Sequence, residues 1–298
     1  MRFFLLAAVA SLIVSAGPGN PSRILVAHRG ASAYAPEHTL AAYRLALEQD
    51  ADFVEQDLAV TRDGVLICLH DPTLERTTDV ETVFRDRGRD DSGTRRWYAA
   101  DFTLDEIKRL DAGAWFDARF AGERVPTFQD AIELVRGKAG LFPELKAPAL
   151  YRERGVDMAP LLAAQLTRNG LDRKGADAAT PLMLQSFDRV VLEALARVLP
   201  SLDRTFLLEP RASEQWTSDA GLRDIAGFAT GIGPSKALIE ADNTLVPRAR
   251  AAGLTVIPYT FRASAPGRFA SVREEMSHFL TVVGVDGLFT DNPDLFPR

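Results

Sequence analysis

The chain is predicted to be an α/β protein, a TIM-type (β/α)8 barrel with a β-hairpin and an insertion that follows the hairpin. Short apolar runs alternate with helical patterns along almost the whole sequence, the arrangement of βα units around a parallel sheet. One of the runs is set apart by a tight turn, which leaves eight, the number a barrel needs. Reactive side chains gather where the runs end, and the C-terminal ends of barrel strands are where sites are built. At 298 residues the chain is long enough for two average domains, but single barrels run to about 250 residues and more, so length does not divide it.

The runs are Ile24 to Ala27, Phe53 to Leu58, Val65 to Leu69, Leu141 to Leu145, Leu182 to Ser186, Thr205 to Leu208, Phe228 to Ile232, Thr255 to Tyr259 and Gly287 to Thr290. Between the second and third lies Thr61-Arg62-Asp63-Gly64. Asp-Gly between apolar runs signals a hairpin, whereas parallel neighbours need a crossover of about a dozen residues. Val65 to Leu69 is therefore expected to run antiparallel to Phe53 to Leu58.

Helices fill the gaps. Thr39 to Glu48 carries Leu40, Tyr43 and Leu47 at helical spacing, and Thr127 with Asp130 opens a helix that runs to Arg136. Further helices are expected from Asp188 to Leu199 ahead of Pro200, from Asn243 to Ala252 with Gly253 at the C-terminal cap, and from Val272 to Val283. The insertion, at about 72–125, shows no strand pattern, many Arg and Asp residues, and one short helix that Thr103 and Glu106 can cap. Insertions on the catalytic face of a barrel shape access to it.

The N-terminus has a basic Arg2, an apolar run from Phe3 to Val14 and small residues up to Ala16. This is the pattern of a secretory signal peptide over residues 1–16, with residues 17–298 as a single barrel domain, and it predicts an exported protein, periplasmic or secreted. The run is shorter than the about 20 residues a span requires, so no stable membrane anchor is expected. Cys68 is the only cysteine and lies within an apolar run, the setting of a buried thiol. A formal charge of −6 without a dense basic cluster argues against nucleic acid as a partner.

At the strand ends stand His28 and Arg29, Glu55 and Asp57, His70 and Asp71, Glu144 and Lys146, and Thr290 and Asp291. Residues two apart on a strand share a face, so Glu55 and Asp57 point the same way. Like charges confined in a low-dielectric site repel, and a divalent cation removes that cost. With Glu144 as a third carboxylate, an all-oxygen set suits one divalent cation, Ca²⁺ or Mg²⁺, over zinc. An unperturbed imidazole changes charge near neutrality, so a pair of histidines at one site, such as His28 and His70, can supply one acid and one base. Arg29 and Lys146 offer local positive charge to an anionic ligand.

Taken together, Ala27-His28-Arg29-Gly30, Pro36-Glu37-His38-Thr39, Glu55 and Asp57, His70-Asp71-Pro72, Arg76-Thr77-Thr78, Pro126-Thr127, Glu144-Leu145-Lys146, Ser186-Phe187 and the run Asp286 to Pro293 resemble the glycerophosphodiester phosphodiesterase family in order and approximate spacing. The resemblance extends from about Ile24 to the C-terminus. It implies hydrolysis of a small-molecule glycerophosphodiester, such as glycerophosphocholine or glycerophosphoethanolamine, to sn-glycerol 3-phosphate and an alcohol. It further implies that His28 and His70 form the acid–base pair, that Glu55, Asp57 and Glu144 hold the cation, that Arg29 and Lys146 bind phosphate, and that Glu37 stands beside the site or touches the glycerol. Two other readings stay open: a phospholipase C- or D-like enzyme on intact lipids, for which Trp97, Tyr98, Trp115 and Phe116 leave room, and a non-catalytic barrel that binds phosphorylated ligands. The intact histidine pair argues against the last.

Overall fold

The computed structural model describes residues 23–212 and 214–298. Eight parallel strands form the barrel: β1 (Ile24–Ala27), β2 (Phe53–Val60), β3 (Gly140–Leu145), β4 (Met183–Ser186), β5 (Asp203–Leu208), β6 (Gly231–Pro234), β7 (Thr255–Val256) and β8 (Gly287–Thr290). They lie side by side in chain order from β1 to β7, and β8 pairs with β1 in register Ile24↔Gly287 to Ala27↔Thr290. Between β7 and β8 the ring is closed by backbone bonds: the Asp286 N–H donates to Val256 O at 2.9 Å, Phe289 to Pro258 O at 3.0 Å and Phe261 to Phe289 O at 2.9 Å.

Apolar side chains fill both faces of the sheet. All eight residues of β2 are buried, which is what a strand needs when helices cover its outside and the barrel its inside. Inside, Val26, Phe53, Phe142, Ile257 and Phe289 pack into a plug, with Phe142 and Phe289 ring centres 5.3 Å apart. At about 1.5–3 kcal/mol per buried large side chain, this plug contributes heavily to stability and gives the site a solid floor. Outside, the helix Phe128–Val135 is entered through a capping box of Thr127 and Asp130 and buries Phe128, Ala131, Ile132 and Val135, one helical stripe.

The hairpin forms as expected. Leu66–Cys68 runs antiparallel to β2, with Leu58 opposite Cys68 and Val60 opposite Leu66. Thr61 Oγ1 accepts from the Val65 N–H at 2.9 Å, and Gly64 takes the left-handed conformation (φ +80°) that the turn requires.

Several boundaries differ from expectation. The sixth barrel strand begins at Gly231 rather than Phe228, because the N–H groups of Phe228 and Ala229 both donate back to Ile225 O and complete the preceding helix. The seventh stops at Val256, close to Pro258, which has no N–H, yet Ile257 and Tyr259 still donate to Ile232 O and Pro234 O on β6. The last helix is α-helical over Val272–His278 and continues as a π turn over Phe279–Val283.

The insertion does contain strands, contrary to the sequence reading: Arg89–Asp91 pairs antiparallel with Thr94–Arg96 around Ser92 and Gly93, both at positive φ. All six strand residues are exposed, so no alternation marks them. Thr103 and Glu106 form the capping box expected of the short helix Leu104–Ile107. The candidate signal peptide, residues 1–16, lies outside the described residues. Among the described residues no helix is long and apolar enough to cross a membrane.

Candidate metal centre and acid–base site

A cavity of about 340 Å³ opens at the C-terminal ends of the barrel strands, floored by Phe289 of the aromatic plug. His28, Arg29, Glu55, Asp57, His70, Glu144 and Lys146, the residues singled out in the sequence, all line it; Glu37 does not.

The carboxylates meet because β2 and β3 are neighbours in register, with Asp57 opposite Glu144, while Glu55 precedes Asp57 by one pleat. Glu55, Asp57 and Glu144 each offer an oxygen within 4.8 Å of the other two, and all three residues are buried. Gln185 donates to Glu55 Oε1 at 2.8 Å and the Arg29 backbone N–H to Oε2 at 3.0 Å. Lys146 Nζ lies 3.0 Å from Glu144 Oε1, and His38 Nε2 lies 2.8 Å from Asp57 Oδ2. Asp57 Oδ1 is buried without a hydrogen-bond partner among the described residues. A buried, unpaired carboxylate oxygen is costly, and here it belongs to a three-carboxylate, all-oxygen cluster. These residues fit a hard divalent cation.

Electrostatics agree with that fit. Burial, reinforced by the Asp57 charge, pushes the Glu55 carboxyl up to about 8, and the same two causes raise Glu144 well above the usual range. Asp57 goes the other way: burial alone would raise it, but Lys146, His38 and Arg29 hold it well below the usual carboxylate range. Without added positive charge, the pocket disfavours the ionised forms of Glu55 and Glu144.

Both histidines carry a carboxylate on the same ring nitrogen. His28 Nδ1 lies 2.6 Å from Asp291 Oδ1, and His70 Nδ1 lies 2.6 Å from Asp71 Oδ1. With those carboxylates ionised, Nδ1 holds its proton to donate it, and in the neutral ring Nε2 is left as the acceptor. Burial pushes the His28 imidazole down to about 4, helped by the Arg29 charge and only partly offset by Asp291. Burial would raise Asp291, but its bond to His28 and the nearby Arg262, 2.8 Å away, keep it below the usual range.

Arg29 reaches Glu37 Oε1 at 3.0 Å and lies 3.5 Å from Asp57 Oδ2, and among the described residues its Nε has no hydrogen-bond partner. Glu37 is saturated: Arg76 donates to both of its oxygens, at 3.0 and 2.7 Å, besides Arg29. Glu37 stands beside the cavity and grips two arginines.

Backbone strain concentrates here. Arg29 (φ 57°), His38 (φ 58°) and Ala147 (φ 42°) are left-handed non-glycine residues, and the His38 N–H donates to Arg29 O at 3.1 Å. Such conformations cost about 1–3 kcal/mol each and persist only where packing dictates them. Gly30, at φ +84°, lies so close to the Ala42 backbone that a Cβ would come within 2.7 Å of it, so the turn after β1 has room only for glycine.

Sequence reasoning named His70-Asp71 and Asp291 as neighbours at strand ends without pairing the carboxylates with the imidazoles. It missed Arg76 and Gln185 as partners, the bonds of His38 to Asp57 and to the Tyr43 hydroxyl (2.9 Å), and Lys236 in the cavity wall. The adjacency of His70 and Asp71 was a usable signal; His28 and Asp291, 263 residues apart, offered none.

Comparison with known proteins agrees. Residues 28–295 match the glycerophosphoryl diester phosphodiesterase family. A glycerophosphodiester phosphodiesterase of Bacillus subtilis is 34% identical over 306 residues, covering 99% of this chain and 93% of the relative. One from Haemophilus influenzae is 32% identical, covering 91% of this chain and 88% of its own. Among solved structures, a glycerophosphodiester phosphodiesterase from Agrobacterium tumefaciens aligns with a TM-score of 0.66 at 29% identity, over 92% of this chain and 98% of that one. A phosphodiesterase from Oleispira antarctica, in complex with the product sn-glycerol-3-phosphate, aligns with a TM-score of 0.71 at 26% identity, over 91% and 94%. Barrel, cavity and relatives converge: the chain belongs to the glycerophosphoryl diester phosphodiesterase family.

Proposed function

We propose that the protein hydrolyses glycerophosphodiesters, such as glycerophosphocholine and glycerophosphoethanolamine, to sn-glycerol 3-phosphate and an alcohol, with one divalent cation, Ca²⁺ or Mg²⁺, held by Glu55, Asp57 and Glu144. The observation that carries this reading is the meeting in one cavity of the buried carboxylate triad and two histidines, each with its Nδ1 on a carboxylate. When bound, the cation supplies charge neutralisation and polarisation of a phosphoryl oxygen. Arg29 and Lys146, both on the cavity wall, bind and orient the phosphate. One of His28 and His70 takes the proton of the glycerol 2-hydroxyl as it attacks phosphorus, and the other gives a proton to the departing alcohol oxygen. Water then opens the cyclic phosphate with the two roles exchanged. Asp291 and Asp71 keep each ring in one tautomer and orientation through both steps.

The N-terminal sequence supports export to the periplasm or outside the cell, with removal of residues 1–16. The test of the activity is release of sn-glycerol 3-phosphate from glycerophosphocholine by chelator-treated protein with Ca²⁺ or Mg²⁺ added back. Turnover that disappears with chelator and returns with one ion is expected; folded protein inert with both ions would overturn the proposal.

A further inference from the structure

Arg76 lies on the insertion, outside the cavity, and has no place in the chemistry above. It nonetheless joins two carboxylates that serve opposite sides of the site. Its Nε donates to Asp71 Oδ2 at 2.5 Å, and its two terminal nitrogens donate to Glu37 Oε1 and Oε2 at 2.7 and 3.0 Å. Asp71 turns its other oxygen to His70 Nδ1 at 2.6 Å, and Glu37 Oε1 also accepts from Arg29 at 3.0 Å. The bonds therefore run without a gap from His70 through Asp71, Arg76 and Glu37 to Arg29. We propose that Arg76 is a positioning residue that fixes His70 relative to the phosphate-binding Arg29, an inference that rests on the catalytic reading of His70.

Geometry favours arginine for this task. A planar fork can hold one carboxylate bidentately and a second at its Nε edge, whereas the ammonium of lysine is a single point charge. His70 has need of such support, because Asp71 is the one side-chain partner its ring nitrogens have among the described residues, and its side chain is 28% exposed. Without Arg76 the Asp71 carboxylate keeps one anchored oxygen instead of two, and the imidazole is free to swing with it. Since the Arg76 side chain is 42% exposed, its removal leaves no void in the core.

The test compares four cation-loaded enzymes: wild type, Arg76→Ala, His70→Ala and the double variant. Arg76→Ala is expected to lower kcat about 10- to 100-fold, the size typical of partners that orient a functional group, with KM changed by less than about threefold. Arg76→Lys is expected to recover only part of that loss and serves as the second variant if the alanine form folds poorly. The decisive result is the double variant: its kcat should fall no lower than that of His70→Ala alone, because residues that act as a unit are not additive. A double variant that loses the full Arg76 factor again would show that Arg76 works independently of His70 and would overturn the proposal. So would a raised KM with kcat intact, the mark of direct substrate contact, or no change in either. Near-wild-type turnover by His70→Ala would overturn the catalytic reading itself, an outcome distinct from these.

Discussion

His28 and Asp291 are joined at 2.6 Å, a bond between the end of the first barrel strand and the residue after the last. Closure of the ring thus assembles one of the histidine–carboxylate pairs, since Asp291 reaches His28 only because β8 pairs with β1.

Asp291→Asn retains the shape of the side chain but removes the charge that holds the Nδ1 proton. It is expected to lower kcat by about 10²- to 10⁴-fold, as loss of a tautomer-fixing carboxylate does in a hydrolytic triad. Steady-state rates at saturating substrate measure this, and the loss should appear in kcat more than in KM.

His70→Ala is expected to lower kcat by about 10²- to 10⁴-fold, the usual contribution of one acid–base group. Because no bond links His70 to the carboxylate triad, cation affinity should stay close to wild type, which isothermal titration with Ca²⁺ and with Mg²⁺ would show. Loss of binding along with activity would place His70 in the metal site instead.

Asp57→Asn addresses the triad. In wild type, cation binding must displace a proton from Glu55, raised to about 8, and Glu144 is shifted upward by the same burial and Asp57 charge. Affinity should therefore rise with pH through neutrality, with protons released on binding that calorimetry in buffers of different ionisation heat detects. Cation should also raise the thermal midpoint of wild type and leave that of Asp57→Asn unmoved, since stabilisation follows binding to the folded state.

Glu37 gives stability a pH dependence of known sign. Burial would raise its carboxyl, but the bonds from Arg76 and the charges of Arg29 and His38 bring it down to about 2 from a usual 4.5. A depressed folded value contributes stability that is present in full above the unfolded value and lost as pH falls from about 4.5 to about 2. Relative to Glu37→Gln, the wild type should lose up to about 3 kcal/mol across that window in urea titrations.

Much of this was legible in the sequence for one physical reason: β2 and β3 are covered on both faces, so their runs are apolar and the ionisable residues within them stand out. Glu55, Asp57 and Glu144 could be singled out because a carboxylate in such a run needs a partner. The hairpin at Asp63-Gly64 was readable because turn chemistry is local. What escaped was either non-local or exposed. The grip of Arg76 on Glu37 joins residues 39 apart, and although both stand in motifs of the family resemblance, nothing local pairs them. The strands Arg89–Asp91 and Thr94–Arg96 are solvent-exposed and carry no apolar alternation.

The most direct measurement follows cation binding and catalysis on one sample. Stripped protein is titrated with Ca²⁺ or Mg²⁺ while calorimetry records occupancy and release of sn-glycerol 3-phosphate from glycerophosphocholine records rate. The two curves are expected to overlie, and Glu144→Gln should shift both together to higher cation concentration. Full turnover by stripped protein, or turnover unchanged by Glu144→Gln while binding is lost, would contradict a carboxylate-held cation at the centre of this site.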